Sequence, residues 1–380
     1  MSVSASGAVR PRRRLPGSAR VASWTGLRAV AVFLVVGTHA AFATGALAHG
    51  YAGMMLARLE IGVPIFFVLS GFLLFRPWVH SAATDCAPPR IGDYARRRVR
   101  RVIPAYVITV MLAYGVYSFY SAGPNPAQNW VGLMRHLTLT QIYTNNYLLT
   151  YLHPALSQTW SLAVEVAFYA VLPLLAYVLL TMFCRGRWQP VRLLVGLAVL
   201  AGITPLWLIV IQTNDLLPNS AGMWLPAHLA LFAGGMALAV LDTLGVRCRA
   251  DVALALALLA YLAVSSPIAG TVSLGPVRWW EPLTKSLLYT VIATLVVASV
   301  VLGGGGRLSR LLGSRPMVWL GEISYEIFLL HVLVMALVMG VVLRWPLFTG
   351  SLSGLYGLTM LITIPAAWAL HRVCGGSRTG

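Results

Sequence analysis

Charge is what this chain has least of. Only 10% of its 380 residues are Asp, Glu, Lys or Arg, against about 25% in a soluble domain. Hydrophobic residues reach 58% and mean hydropathy is +0.78. That balance excludes an ordinary soluble fold and points to a polytopic membrane protein. Acidic residues are scarcer still, 10 against 28 basic ones, for a net charge of +18. In a soluble chain such an excess suggests nucleic acid; in a membrane chain it belongs in the loops of one side, and no nucleic-acid partner is expected. Lysine is reduced to Lys285. The 4 cysteines, Cys86, Cys184, Cys248 and Cys374, are spaced for neither a disulfide framework nor a metal site, so reduced thiols and no bound metal are expected. Repeats at a fixed period are missing. A signal peptide is not expected either, because the first apolar run is too long for an h-region and lacks a small-residue cleavage pattern.

What is present is length of apolar sequence. Ten segments approach spanning length: approximately 27–48, 61–79, 102–120, 160–182, 192–211, 221–241, 252–266, 282–302, 317–343 and 352–371. The placement of the basic residues tests this map. One side collects 23 of them, including Arg96, Arg97, Arg98, Arg100 and Arg101, and the other keeps Arg58, Arg135, Arg278, Lys285 and Arg344. The positive-inside rule then puts both termini in the cytoplasm. The expected fold is all-α, an integral membrane protein of about ten transmembrane helices in the plasma (inner) membrane. Residues 1–22 read as a flexible basic tail, 23–372 as the membrane domain and 373–380 as a short cytoplasmic tail. The connection 121–159, rich in Asn, Gln, Tyr, Thr and His, suits a lid or sugar-binding surface, and a merely solvated loop equally.

Ionisable groups inside apolar helices are functional candidates by default. Arg28 and His39 stand eleven residues apart, about three helical turns, so they share one face with a rise of about 16 Å. That spacing puts Arg28 near one membrane surface and His39 past the midplane. The bland reading makes Arg28 a snorkelling boundary residue and His39 a packing histidine. In the second segment Ser70 and Gly71 lie near mid-depth, where small residues mostly allow close helix packing; a nucleophilic Ser70 lacks an evident base. Arg98 and Arg101, at i and i+3 before Pro104, are either a positive anchor or a phosphate grip. Trp160 and Ser161 open the fourth segment, which carries Glu165 and Tyr169. Glu165 falls at the depth of His39, and a pair between them would orient the imidazole and raise its basicity. The ninth segment holds Glu322, Ser324, Tyr325, Glu326 and His331, with Glu322 and Glu326 expected on one face. A tertiary-network role and a substrate role both fit these residues.

Leu27-Arg28 to His39, Phe66-Phe67-Val68-Leu69-Ser70-Gly71-Phe72, Arg98 to Arg101 with Pro104, Trp160-Ser161-Leu162 with Glu165, and Ile323-Ser324-Tyr325 to His331 follow one another along residues 23–371. In that order they resemble the acyltransferase 3 family of integral membrane O-acyltransferases. The resemblance implies transfer of an acyl group, usually acetyl, from cytoplasmic acyl-coenzyme A to a hydroxyl of an envelope glycan, glycolipid or exported glycoside. It implies no permanently bound cofactor. Arg28 and His39 would be the essential pair, with Glu165 as orienter, and Arg98 and Arg101 would handle the donor. Ser70, Trp160, Ser161, Tyr169, Glu322, Ser324, Tyr325 and His331 would line the site. Many members carry Asp where this chain has Thr25, which is expected to cap the helix without supplying a charge. The hydrolase-like domain fused to some members has no counterpart in these residues, so acceptor recognition is expected from the membrane unit and its loops. Partners are then acyl-coenzyme A, a lipid or carbohydrate acceptor and the bilayer. The competing class, a transporter or flippase, should show inverted repeats or paired broken helices, which the sequence does not display.

Overall fold

The computed structural model describes residues 18–121, 123–213, 217–271 and 278–375. The tail arginines Arg10, Arg12, Arg13, Arg14 and Arg378 lie outside them. Among the described residues the chain is helical throughout, with a single isolated bridge between Cys248 and Gly303 in place of any sheet.

Helix α1 (Ser18–Ala43) ends before Gly45, which turns the chain at φ 74°. Helix α2 (Gly50–Ala57) leads through a 3₁₀ turn into α3 (Gly62–Thr84), which stops at Asp85 in the left-handed region, φ 54°. Then come α4 (Ile91–Tyr117), the short α5 (Trp130–Leu137) and α6 (Tyr147–Thr150), and α7 (Trp160–Ala176), whose last turns widen into a π-helix. Helices α8 (Pro190–Thr213), α9 (Leu229–Thr243), α10 (Ala250–Val264) and α11 (Trp280–Val301) follow. The chain closes with α12 (Arg307–Leu312), α13 (Arg315–Glu322), α14 (Ser324–Leu337) and α15 (Leu352–Gly375).

Nine helical segments among the described residues are long and apolar enough to cross a membrane. The expected tenth is α10, whose 15 residues rise only about 22 Å against a hydrocarbon core of about 30 Å. The other departures are local. Helix α4 begins at Ile91, so the arginine cluster stands on the helix rather than before it. Helix α1 begins at Ser18, which leaves Thr25 inside the helix: its hydroxyl bonds back to the Val21 carbonyl (3.1 Å) and caps nothing. The ninth segment breaks at Ile323. A Cβ on Gly321 would collide with the Thr25 carbonyl of α1, and Ser324 Oγ takes up the Gly321 carbonyl (2.8 Å), so the helix ends there and restarts.

Small residues set the packing, as expected where lipid supplies no hydrophobic drive between helices. Gly71 of α3 meets the Phe232 backbone of α9, and Gly235 of α9 meets the Val68 backbone of α3. The two helices therefore cross in backbone contact. Segment 121–159 is a packed cap: His136, Gln141, His153 and Gln158 are buried, Asn129 and Asn146 cap α5 and α6, and Gln158 bonds the Leu329 carbonyl of α14 (2.8 Å).

Candidate active site

Two chambers lie back to back inside the bundle, sharing Val63 and Phe67 of α3 as a common wall. The smaller, ≈ 270 Å³, opens toward the end where α4 begins; the larger, ≈ 800 Å³, lies beneath the cap.

The small chamber gathers Arg28 from α1, Ser70 from α3, Arg98 and Arg101 from α4, Glu165 and Tyr169 from α7, and Tyr325 from α14. Arg28 lies ten residues into α1, about 15 Å from its start. Glu165 Oε1 accepts hydrogen bonds from Ser70 Oγ and from Tyr169 OH (2.5 Å). Ser70 thus has a carboxylate beside it, which the sequence did not reveal. Arg98 stands 6.0 Å over the Tyr169 ring, its Nε buried without a partner. Among the described residues no ion pair ties Arg28, Arg98 or Arg101 to Glu165. Three guanidinium groups facing one carboxylate leave cationic capacity for an anionic ligand. Ser161 and Ser324 also line this chamber, with their hydroxyls spent on the Gln158 (3.1 Å) and Gly321 (2.8 Å) carbonyls. Tyr325 OH is likewise spent on the Val102 carbonyl (3.0 Å).

Beside it, Arg97, Arg100, Arg101, Glu322, Tyr325 and Glu326 surround a further recess. Glu322 and Glu326 meet there although the helix between them is broken. Glu326 Oε1 pairs with His371 Nδ1 of α15 (2.9 Å).

The large chamber holds His39. The expected pair with Glu165 does not form: equal depth along two helices says nothing about azimuth, and α7 turns Glu165 toward Ser70 while α1 turns His39 toward α14. The neighbour His39 finds is His331, with ring centroids 5.1 Å apart. His331 Nδ1 lies 2.7 Å from the Phe328 carbonyl and 3.2 Å from that of Ile327. Carbonyls only accept, so Nδ1 carries the hydrogen and Nε2 keeps its lone pair. That Nε2 is buried with no protein partner.

Across the same chamber stand residues that sequence reading passed over. Arg58 donates to the carbonyls of Val264 (3.0 Å), Ala269 (3.0 Å) and Gly270 (2.6 Å). Glu60 Oε1 takes Lys285 Nζ (2.5 Å) and Tyr289 OH (2.8 Å). Lys285, five residues into an apolar helix, was the signal available; counting it as an external loop charge hid it. Trp160 lines this chamber too, as do Tyr147 and His228, for which no periodic signal exists.

Comparison with known proteins places nearly the whole chain in a family and assigns no residue of the site. Residues 21–372 match the Acyl_transf_3 family profile, described as an acyltransferase domain. Acyltransferase MdmB of Streptomyces mycarofaciens is 30% identical over 94% of this chain and 91% of its own length. The peptidoglycan O-acetyltransferase OatA of Listeria monocytogenes is 26% identical over 82% of this chain, which spans only 49% of that relative. No solved structure matches.

Proposed function

The chain belongs to the acyltransferase 3 family and is a multi-pass membrane acyltransferase, and on that premise we propose an O-acyl transfer from acyl-coenzyme A to a hydroxyl acceptor. The observation that carries this reading is the pair of chambers with opposite chemistry meeting at Val63 and Phe67. One is lined by unpaired arginines, the other by a histidine beneath a polar cap.

Coenzyme A carries several phosphate charges and does not enter hydrocarbon, so its nucleotide stays at the surface. Arg97, Arg100 and Arg101 in the recess are its grip, while Arg98 and Arg28 lead inward. The thin pantetheine arm brings the thioester, acetyl in the simplest case, to the shared wall. The arginine bias makes that end cytoplasmic and the cap external, with the protein in the plasma membrane. The acceptor, a lipid- or carbohydrate-borne hydroxyl of the cell envelope or an exported product, enters the large chamber.

His39 takes the hydroxyl proton as the oxygen attacks the thioester carbonyl. Arg28, in the small chamber, holds the donor where it passes inward. Collapse of the tetrahedral intermediate breaks the C–S bond, and the proton leaves on the coenzyme A sulfur. The His331 ring, 5.1 Å away, packs against His39 and holds it in place, and its Nε2 lone pair favours the imidazolium. A covalent route also has an observation behind it, the bond from Ser70 Oγ to Glu165, which is how a nucleophilic serine is activated. Ser70→Ala separates the two: it abolishes transfer if the acyl group rests on serine and leaves most of it if His39 acts directly.

Purified protein in detergent should turn over acetyl-coenzyme A, and the His39→Gln variant should bind the donor without transferring. A cysteine placed in 121–159 should label from outside the cell and one in 303–316 should not; the reverse pattern would remove the assignment of donor and acceptor sides.

A further inference from the structure

We infer that Tyr147 and His228 form an acceptor-positioning subsite in the large chamber, built for a neutral hydroxylated ring; this rests on the acyltransferase reading and extends it to residues no comparison assigns. Both residues line the chamber, and each carries a polar atom that is buried without a protein partner: the Tyr147 hydroxyl and His228 Nε2. Buried polar atoms are satisfied in the great majority of cases, and two orphans in the wall of one cavity ask for a common ligand.

A neutral imidazole carries one N–H and one lone pair, so His228 Nε2 can exchange one hydrogen bond with a hydroxyl, which gives and accepts equally. The ring is held between Phe67 (5.5 Å) and Trp160 (5.4 Å). The Trp160 ring offers an apolar surface to the C–H face of a saturated ring, while the polar edge of that ring reaches the imidazole. Tyr147, from the cap, is only 3% exposed, and its hydroxyl can give or accept a second bond.

Phe67 fixes where such a ring sits. It touches His228 and also forms the wall shared with the small chamber, so an acceptor held there lies beside the point where the acyl group arrives. The charges of the large chamber explain the preference for a neutral ligand. Arg58 is spent on three carbonyls, and Lys285 and Glu60 on each other. A carboxylate or phosphate entering this chamber would find no free counter-charge, and an unpaired ion in an apolar site is disfavoured. His228 and Tyr147 are positioning residues: they orient the acceptor and leave proton transfer to His39.

The test uses the full chain in nanodiscs with acetyl-coenzyme A and three probes: dodecyl β-D-glucopyranoside, its anionic glucuronide counterpart and dodecanol. Release of coenzyme A thiol and formation of the sugar ester are followed together. The glucoside should stimulate release and be acetylated; the glucuronide and dodecanol should do neither. His228→Phe, which keeps a ring between Phe67 and Trp160, and Tyr147→Phe should each raise KM for the glucoside about tenfold, the cost of one orphaned substrate hydroxyl. KM for acetyl-coenzyme A should stay as in the wild type. His228→Gln, whose amide oxygen still accepts, should recover part of the loss. Unchanged KM in both Phe variants would mean that water satisfies the orphan atoms, and would overturn the subsite. So would a glucuronide as good as the glucoside, or acetyl-coenzyme A turnover indifferent to all three probes, while leaving the acyltransferase reading in place. Absence of any acetyl-coenzyme A turnover by the wild type would instead overturn that reading. Should His228→Phe fail to bind donor, Tyr147→Phe decides by itself.

Discussion

The two chambers hold similar numbers of charged side chains and use them in opposite ways. In the small one Arg28, Arg98 and Arg101 face a single carboxylate that is occupied by Ser70 and Tyr169. In the large one Arg58, Glu60 and Lys285 are consumed by backbone carbonyls and by one another. A charge without a protein partner in a membrane is expensive, and the arrangement persists where a ligand completes it. A charge fully engaged by its own protein shapes a wall. The small chamber is thus suited to a polyanionic donor and the large one to a neutral acceptor, and the same residue type, arginine, has different meanings in the two.

The contrast breaks most sharply at His39. His39→Gln should lower the transfer rate by roughly 10²–10⁴-fold, the contribution of a general base, with donor affinity unaltered in equilibrium binding. A near wild-type rate would reduce His39 to packing and leave the large chamber without chemistry.

Next in size are the arginines. Arg28→Ala or Arg98→Ala should weaken acyl-coenzyme A binding by roughly 10–100-fold, from about 1.5–3 kcal/mol per hydrogen bond to a charged group. Arg98→Lys should recover only part, because a point charge does not reproduce the planar fork. Insertion should be intact, since the other arginines of α4 keep the orientation signal. Unchanged donor affinity would make these residues anchors and erase the difference between the chambers.

The cap over the large chamber should respond to pH. Burial holds His136 down to about 4 and His153 down to about 3, against about 6.5 in the unfolded chain. His153 uses both nitrogens as a neutral ring, Nε2 toward Gln128 Oε1 (3.0 Å) and Nδ1 accepting from the Ala155 N–H (3.2 Å). Protonation breaks the second bond. A base with a depressed folded pKa stabilises the fold above its unfolded pKa, and that stability is lost as pH falls. Thermal midpoints should therefore be level above pH 6.5 and fall from there toward pH 3, with stability lower by roughly 2 kcal/mol per ring at pH 5. His136→Phe with His153→Asn should flatten the profile; a flat wild-type profile would mean that these rings do not govern the cap.

The smallest effect is expected at Glu60. Its ion pair with Lys285 is partly exposed, at 40% and 33% of the side chains, so Glu60→Gln should cost below about 1 kcal/mol in stability. It leaves Lys285 uncompensated, however, and should improve acetylation of an anionic glycoside over the wild type. If it does not, pairing is not what keeps the large chamber neutral in its preference.

Arg28, Arg98 and Glu165 illustrate what was legible beforehand. Each is an ionisable residue in an apolar run, and the cost of such placement marks it without any coordinates. Periodicity put Arg98 and Arg101 on one face, and both do line the small chamber. Ser70 was legible as a small residue and not as a hydrogen-bond donor to Glu165, because its partner comes from a helix 95 positions away. Tyr147 and His228 were not legible: each sits where the chain is irregular, in the cap and in a 3₁₀ turn, with no period to mark a buried side.

Composition and apolar length by themselves determined a helical membrane protein, since only a structure that satisfies its own backbone hydrogen bonds survives in hydrocarbon. The spacing of the ionisable groups along each helix followed from the rise per residue. Azimuth did not follow, because it depends on which glycines let which helices touch. Gly71 with Gly235 and Gly321 with Thr25 bring the helix backbones together and so set the rotation of α1, α3, α9 and α13. Only that packing decided that His39 faces His331 and not Glu165, that Phe67 divides two chambers, and that the arginines of one remain unpaired while Arg58 of the other does not.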